Sequence, residues 1–212
     1  MILTMKIDTI ASQPDRAGRH AVRFDDGTTM RLYRQTVQDF GLYPGLELTE
    51  QELEKLRTAA GLMSAKMRAV RIVAASSVSK RDLEQRLIQK GETPEDAKTA
   101  VAWMTDMALV DDRNTAQQVV SRCISRGYGL QRAKQALHEK RIPKEYWEEA
   151  LADYPDQSDH IVEFLQTRLG AEWDERDLRR AIDALLRRGH SYSRIKQALG
   201  QLSLEADEFP EV

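Results

Sequence analysis

One arrangement of apolar residues returns along this chain at intervals of about 50. Ala97, Ala100, Val101 and Met104 have the i, i+3, i+4, i+7 spacing of a single buried helical face. Trp147, Ala150, Leu151 and Tyr154 repeat it 50 residues on, and Ile195, Ala198, Leu199 and Leu202 repeat it 98 residues on. The same offsets carry Leu87 to Leu137 and Leu185, and Gly91 to Arg141 and Gly189. A period of this length marks a tandem array, because a unit of that size exposes too much apolar surface alone and completes its core against a neighbour.

Each unit reads as three helices. In the first these lie at about 63–75, 80–90 and from Pro94 onward, where Thr93-Pro94-Glu95-Asp96 supplies a cap residue, proline at the first helical position and acids in the first turn. The second unit places helices at 112–126, 130–140 and 144–154, and the third at 158–169, 174–188 and 191–202. Ahead of the array, residues 5–10, 20–24 and 29–33 have strand composition, with Asp25-Asp26-Gly27 as a turn. Pro44-Gly45 is a further turn, and Thr49 with Glu52 three residues later forms a capping box that opens a helix at about residue 50. The fold expected is mainly α: three three-helix repeats (61–108, 109–155, 156–202) in an elongated, curved array. A small β-containing domain (1–60) precedes it, and an acidic tail (203–212) follows.

Charge is unevenly spread. The formal total is -2, yet residues 64–142 carry 15 Lys and Arg against 9 Asp and Glu, residues 143–177 carry 3 against 11, and residues 178–200 carry 6 against 1. Two basic blocks thus flank an acidic one. Cys123 is the only cysteine, which excludes an internal disulfide and suits a reducing cytoplasm. No apolar run reaches the roughly 18 residues of a membrane span, and the N-terminal sequence lacks a secretion-signal pattern, so a cytoplasmic location is expected.

The chemistry-bearing residues are cationic. Arg122 and Arg126, four apart, share a face opposite Ala116, Val119, Val120, Cys123 and Ile124, and Arg132, Lys134 and Lys140 follow in the next helix. Basic positions recur as Arg81, Arg86 and Lys90 in the first unit and as Arg187, Arg188, Arg194 and Lys196 in the third. Positive charge at such spacing suits phosphate neutralisation, which needs no base reading. In Ser125-Arg126-Gly127-Tyr128-Gly129 the glycine stops a helix, and Tyr128 packs back over the stop while leaving its hydroxyl for a partner. The acidic block around Glu145, Glu148, Glu149, Asp153, Asp156 and Asp159 reads as a solubility feature or a protein-facing surface. There is no phosphate-binding loop of the GxxxxGK[ST] kind, and the four histidines are scattered without ligand-spaced cysteines, so neither ATP hydrolysis, a metal site nor a cofactor is expected.

The stretches SKRDLEQRLIQKG (79–91), LVDD (109–112), SRGYGLQRAKQALHEKRI (125–142) and RRGHSYSRIKQAL (187–199) resemble the RecX family of bacterial RecA regulators, and the likeness extends over roughly residues 66–199. Two departures are Arg141, where the other two units have glycine, and Asn114-Thr115, where the family usually has an aromatic-containing segment. The resemblance implies a monomeric, non-enzymatic regulator of DNA repair, homologous recombination and the SOS response. Such a protein binds the RecA–DNA filament in its groove, contacts single-stranded or filament DNA without sequence preference, and restrains strand exchange and ATP hydrolysis. The alternative is a regulator that binds nucleic acid on its own, with residues 130–154 as a helix-turn-helix. The acids Glu145, Glu148 and Glu149 on its second helix argue against that.

Overall fold

The structure, a computed structural model, describes residues 4–170 and 173–202. The acidic tail expected at 203–212 lies outside the described residues, as do Ala171 and Glu172. The chain divides into two compact units, Met1–Val110 and Asp111–Val212.

The first unit opens with a four-stranded antiparallel sheet in the order β3-β2-β1-β4: β1 (Thr4–Ile10), β2 (Arg19–Phe24), β3 (Thr29–Tyr33) and β4 (Glu47–Thr49). The turn into β3 forms as its residues dictate. Gly27 takes a φ of +86°, and the Asp26 carboxylate accepts from both the amide and the hydroxyl of Thr28, which holds its pKa below the ordinary value. Two elements were not foreseen: the short helix α1 (Arg34–Asp39) and β4, whose three residues pair with β1. One face of the sheet buries Ile7, Val22, Phe24, Leu32 and Leu48.

Against that core lies α2 (Glu50–Ala75), begun by the capping box: the Glu52 amide donates to Thr49 Oγ1 at 3.3 Å, and the Thr49 amide donates to Glu52 Oε2 at 2.8 Å. Its first half closes the sheet core with Leu53 and Leu56. Its second half brings Ala65 and Ala69 to a separate core with α3 (Lys80–Gln89) and α4 (Pro94–Asp106), around Leu83, Leu87, Ala97, Ala100 and Met104. The boundary expected between residues 60 and 61 therefore falls inside one continuous helix. Gly61, at that boundary, is a packing residue: a Cβ there would stand 2.9 Å from Asp96 Oδ2 on α4.

The second unit contains two helix trios. The first is α5 (Asp112–Ser125), α6 (Leu130–Glu139) and a short third member, a 3-10 turn (Lys144–Tyr146) running into α7 (Trp147–Leu151). A full helix over 144–154 is expected, but the element ends at Leu151 and opens as a 3-10 turn, and that opening has a local cause. The capping position is Pro143, which offers no side-chain oxygen, whereas Thr93 at the equivalent place accepts from the Asp96 amide. The second trio is α8 (Ser158–Leu169), α9 (Glu175–Arg187) and α10 (Tyr192–Gln201), packed around Ile161, Leu165, Leu185, Ile195 and Leu199. Gly91, Arg141 and Gly189, matched by the sequence offsets, all take positive φ after a helix, at +91°, +53° and +85°. The residue after each bonds its amide back to the carbonyl five positions earlier, Glu92 to Leu87, Ile142 to Leu137 and His190 to Leu185, which is the Schellman arrangement.

Candidate partner-binding surface

The corner between α5 and α6 is built by the same device. Gly127 has a φ of +63°, its amide donates to the Ile124 carbonyl, and the Tyr128 amide donates to the Cys123 carbonyl at 2.9 Å. Around this stop Arg122 and Arg126 are exposed on the end of α5, and Lys134 is exposed on α6. Cys123 is buried beneath them, and burial raises its pKa while the charges of Arg132 and Arg126 pull the other way. Its thiol belongs to the core of the trio rather than to any reactive site.

The glycines of this corner do more than stop a helix. They are where the first trio of this unit receives the second. The Gly129 amide donates to the Arg188 carbonyl at 2.9 Å. A Cβ on Gly129 would lie 2.1 Å from the Gly189 oxygen, and one on Gly189 would lie 2.2 Å from the Arg132 nitrogen. A Cβ on Gly127 would meet His160 Cγ at 2.9 Å. Two side chains buttress the joint. His190, 5% exposed, makes a 3.0 Å hydrogen bond from Nε2 to the Gly127 carbonyl, and Tyr154 donates its hydroxyl to the Tyr128 carbonyl at 2.6 Å. Burial is the main cause of both of their pKa shifts, lowering that of His190 and raising that of Tyr154 to about 12. A cavity of about 200 Å³ sits beside the joint, lined in part by Gly129, Tyr154, Gln157 and His190.

The remaining basic residues expected to meet a partner divide into committed and exposed. Arg132 is paired with Glu139 at 3.2 Å, Arg86 with Asp82 at 2.9 Å, and Arg194 with Asp156. The Arg188 guanidinium lies 4.5 Å from the centre of the Phe164 ring. Arg81, Lys90, Arg187 and Lys196 are exposed, and Lys140 is half-buried. Tyr128 is half-buried, and it is its carbonyl, not its hydroxyl, that the fold uses. Two members of the acidic block are structural: Asp156 bonds Arg194 and Ser158, and Glu149 holds Arg113. Glu145 and Glu148 are exposed on the short third element, so the surface a helix-turn-helix would lay in a major groove is acidic and only about two turns long. No helix among the described residues is long and apolar enough to cross a membrane, and they contain no cluster of three or more His, Cys, Asp or Glu suited to a metal ion.

Residues 111–151 match the family model for the RecX second three-helix domain. Over 193 residues the chain is 24% identical to regulatory protein RecX of Streptococcus gordonii, covering 89% of this chain and 75% of that one. It is 24% identical over 210 residues to regulatory protein RecX of Clostridioides difficile, covering 96% and 98%. Among solved structures, a crystal structure of regulatory protein RecX superposes with a TM-score of 0.61 at 21% identity, covering 91% of this chain and 99% of that one. RecX from Lactobacillus salivarius does so with a TM-score of 0.56 at 20% identity, covering 69% and 99%. At these identities the structural likeness concerns the fold alone.

Proposed function

The chain is a RecX-family protein with a regulatory role, and from that premise we propose that it binds the RecA–DNA filament along its groove and restrains RecA-catalysed strand exchange and ATP hydrolysis without catalysis of its own. The observation that carries this reading is the corner at Gly127. Arg122, Arg126 and Lys134 stand exposed there on two helices whose angle is held by the Schellman stop and by the glycine joint behind it. A backbone held at that corner keeps the cations close together, so their charge adds up to affinity and steering toward phosphate or an acidic protein surface. Trios of packed helices offer a preformed surface to a partner, and within the first unit the β-containing region covers the start of α2.

The test is RecA-catalysed ATP hydrolysis on single-stranded DNA with this protein titrated in. Hydrolysis falls as the wild type is added. The Arg122→Ala/Arg126→Ala/Lys134→Ala variant needs on the order of tenfold more protein for the same effect, as expected when several phosphates are left unneutralised together. A flat wild-type titration overturns the reading.

A further inference from the structure

A second cationic site lies inside the first unit. A cleft of about 480 Å³ opens between the sheet, α2 and α3, and five cations line it: Arg19 on β2, Arg68 and Arg71 on α2, and Arg86 and Lys90 at the end of α3. Tyr33, itself buried, also lines it, and no carboxylate is among the lining residues.

The way these cations are held separates them. Arg19 is forked onto Asp15 by Nε at 3.0 Å and Nη2 at 2.8 Å. The same carboxylate also accepts the Arg19 and Ala17 amides, and the Arg19 bonds foremost bring its pKa down to about 2. Arg68 is paired with the buried Glu92 at 2.7 Å, and Arg86 with the buried Asp82 at 2.9 Å. Arg71 is placed by neutral acceptors instead: Nη2 donates to the Tyr33 hydroxyl at 2.7 Å and Nε to the Met67 carbonyl at 3.1 Å. Lys90 stands exposed at the end of α3, and its carbonyl accepts from Arg68. Five positive charges against three carboxylates leave the site at +2. A concave site of one sign focuses its field outward, and guanidinium forks on three different elements match the several oxygens of a phosphate better than the two of a carboxylate.

We propose that this cleft binds the phosphodiester backbone of a nucleic-acid strand, with Arg71 and Lys90 as the contacting cations and Arg19, Arg68 and Arg86 held around them. The strand-containing region then belongs to the interface rather than only covering the end of the helices. The inference rests on the reading above that the partner filament carries nucleic acid.

The test uses the full chain and a fluorescein-labelled oligothymidylate of about 30 nucleotides, titrated by anisotropy at two salt concentrations. Arg71→Gln/Lys90→Gln is compared with Arg122→Gln/Arg126→Gln and wild type, and circular dichroism melting checks that each is folded. The cleft variant is expected to bind at least tenfold more weakly, with the slope of log affinity against log salt shallower by about 0.7 for each phosphate it no longer neutralises. Lys90→Gln alone, on an exposed side chain, gives a smaller loss in the same direction and keeps the test valid if the double variant misfolds. Unchanged affinity and slope in the cleft variants, or a wild type that inhibits RecA hydrolysis without binding the oligonucleotide, overturns the cleft while leaving the function standing. A cleft variant that loses inhibition of RecA but keeps oligonucleotide affinity makes this a protein-binding surface and also overturns it. A wild type that binds the oligonucleotide but leaves RecA hydrolysis unchanged removes the function and not the cleft.

Discussion

Gly129 and Gly189, sixty residues apart, meet backbone to backbone: a methyl on Gly129 would stand 2.1 Å from the Gly189 oxygen. The φ of Gly129 is -75°, which any residue adopts, so glycine is required there by the neighbouring trio and not by the local turn.

Gly129→Ala therefore forces the two trios of the second unit apart and costs roughly 2–4 kcal/mol, as overpacking against unyielding backbone does. Gly200→Ala is the control. It lies within α10 with nothing within 4 Å of its Cβ, and it stabilises by about 0.5–1 kcal/mol through better helix propensity. Urea denaturation of both variants checks the contrast; equal effects would mean that the joint is loose.

The joint also weakens in acid. His190 is buried neutral against the Gly127 carbonyl, with its pKa below the usual 6.5 chiefly through burial and further through the charges of Arg188, Arg194 and His160. Below pH 6.5 the unfolded chain takes up a proton that folded His190 resists. Its contribution is thus complete above that pH, and stability declines as pH drops from 6.5 until the folded-state value is passed. Melting temperatures between about pH 7.5 and 5 show this decline, and His190→Gln flattens it.

Arg141 sits in the left-handed region where Gly91 and Gly189 sit in their own trios. Arg141→Gly removes a strain of about 1 kcal/mol and raises the denaturation midpoint, with any interaction of the arginine side chain subtracting from the gain. A lowered midpoint would assign that side chain a larger structural part than its backbone strain.

The start of α2 depends on Thr49. Thr49→Ala removes the acceptor for the Glu52 amide, and about 1 kcal/mol of stability goes with it. Hydrogen exchange is the telling measurement, because the loss should reach amides in the sheet and in α3 and α4 alike.

What the sequence made legible is local. Spacing at i, i+3, i+4 and i+7 marks the buried faces of α4 and α10, and the capping box at Thr49 and the stop at Gly127 are read from a handful of neighbours. What it hid depends on distant partners. Gly61 stands at the boundary expected between residues 60 and 61, yet its missing side chain makes room for Asp96. The three residues of β4 are too few to show alternation and become a strand only by pairing with β1. Pro143 aligns with the start of a helix but brings no cap, and the third element of its trio opens as a 3-10 turn. The cations looked equivalent in sequence, and only the fold sets Arg132, bound to Glu139, apart from exposed Arg122.

Helix α2, at 26 residues, is about 39 Å long and contributes to two hydrophobic cores at once. Neither core is complete without its half of that helix, so the strand-containing region is not a detachable module. Truncation anywhere between residues 50 and 75 would expose apolar surface on both sides of the cut. Gain or loss of the N-terminal sheet during evolution would then have required a shorter helix to be extended or trimmed in step with it, rather than a linker to be cut.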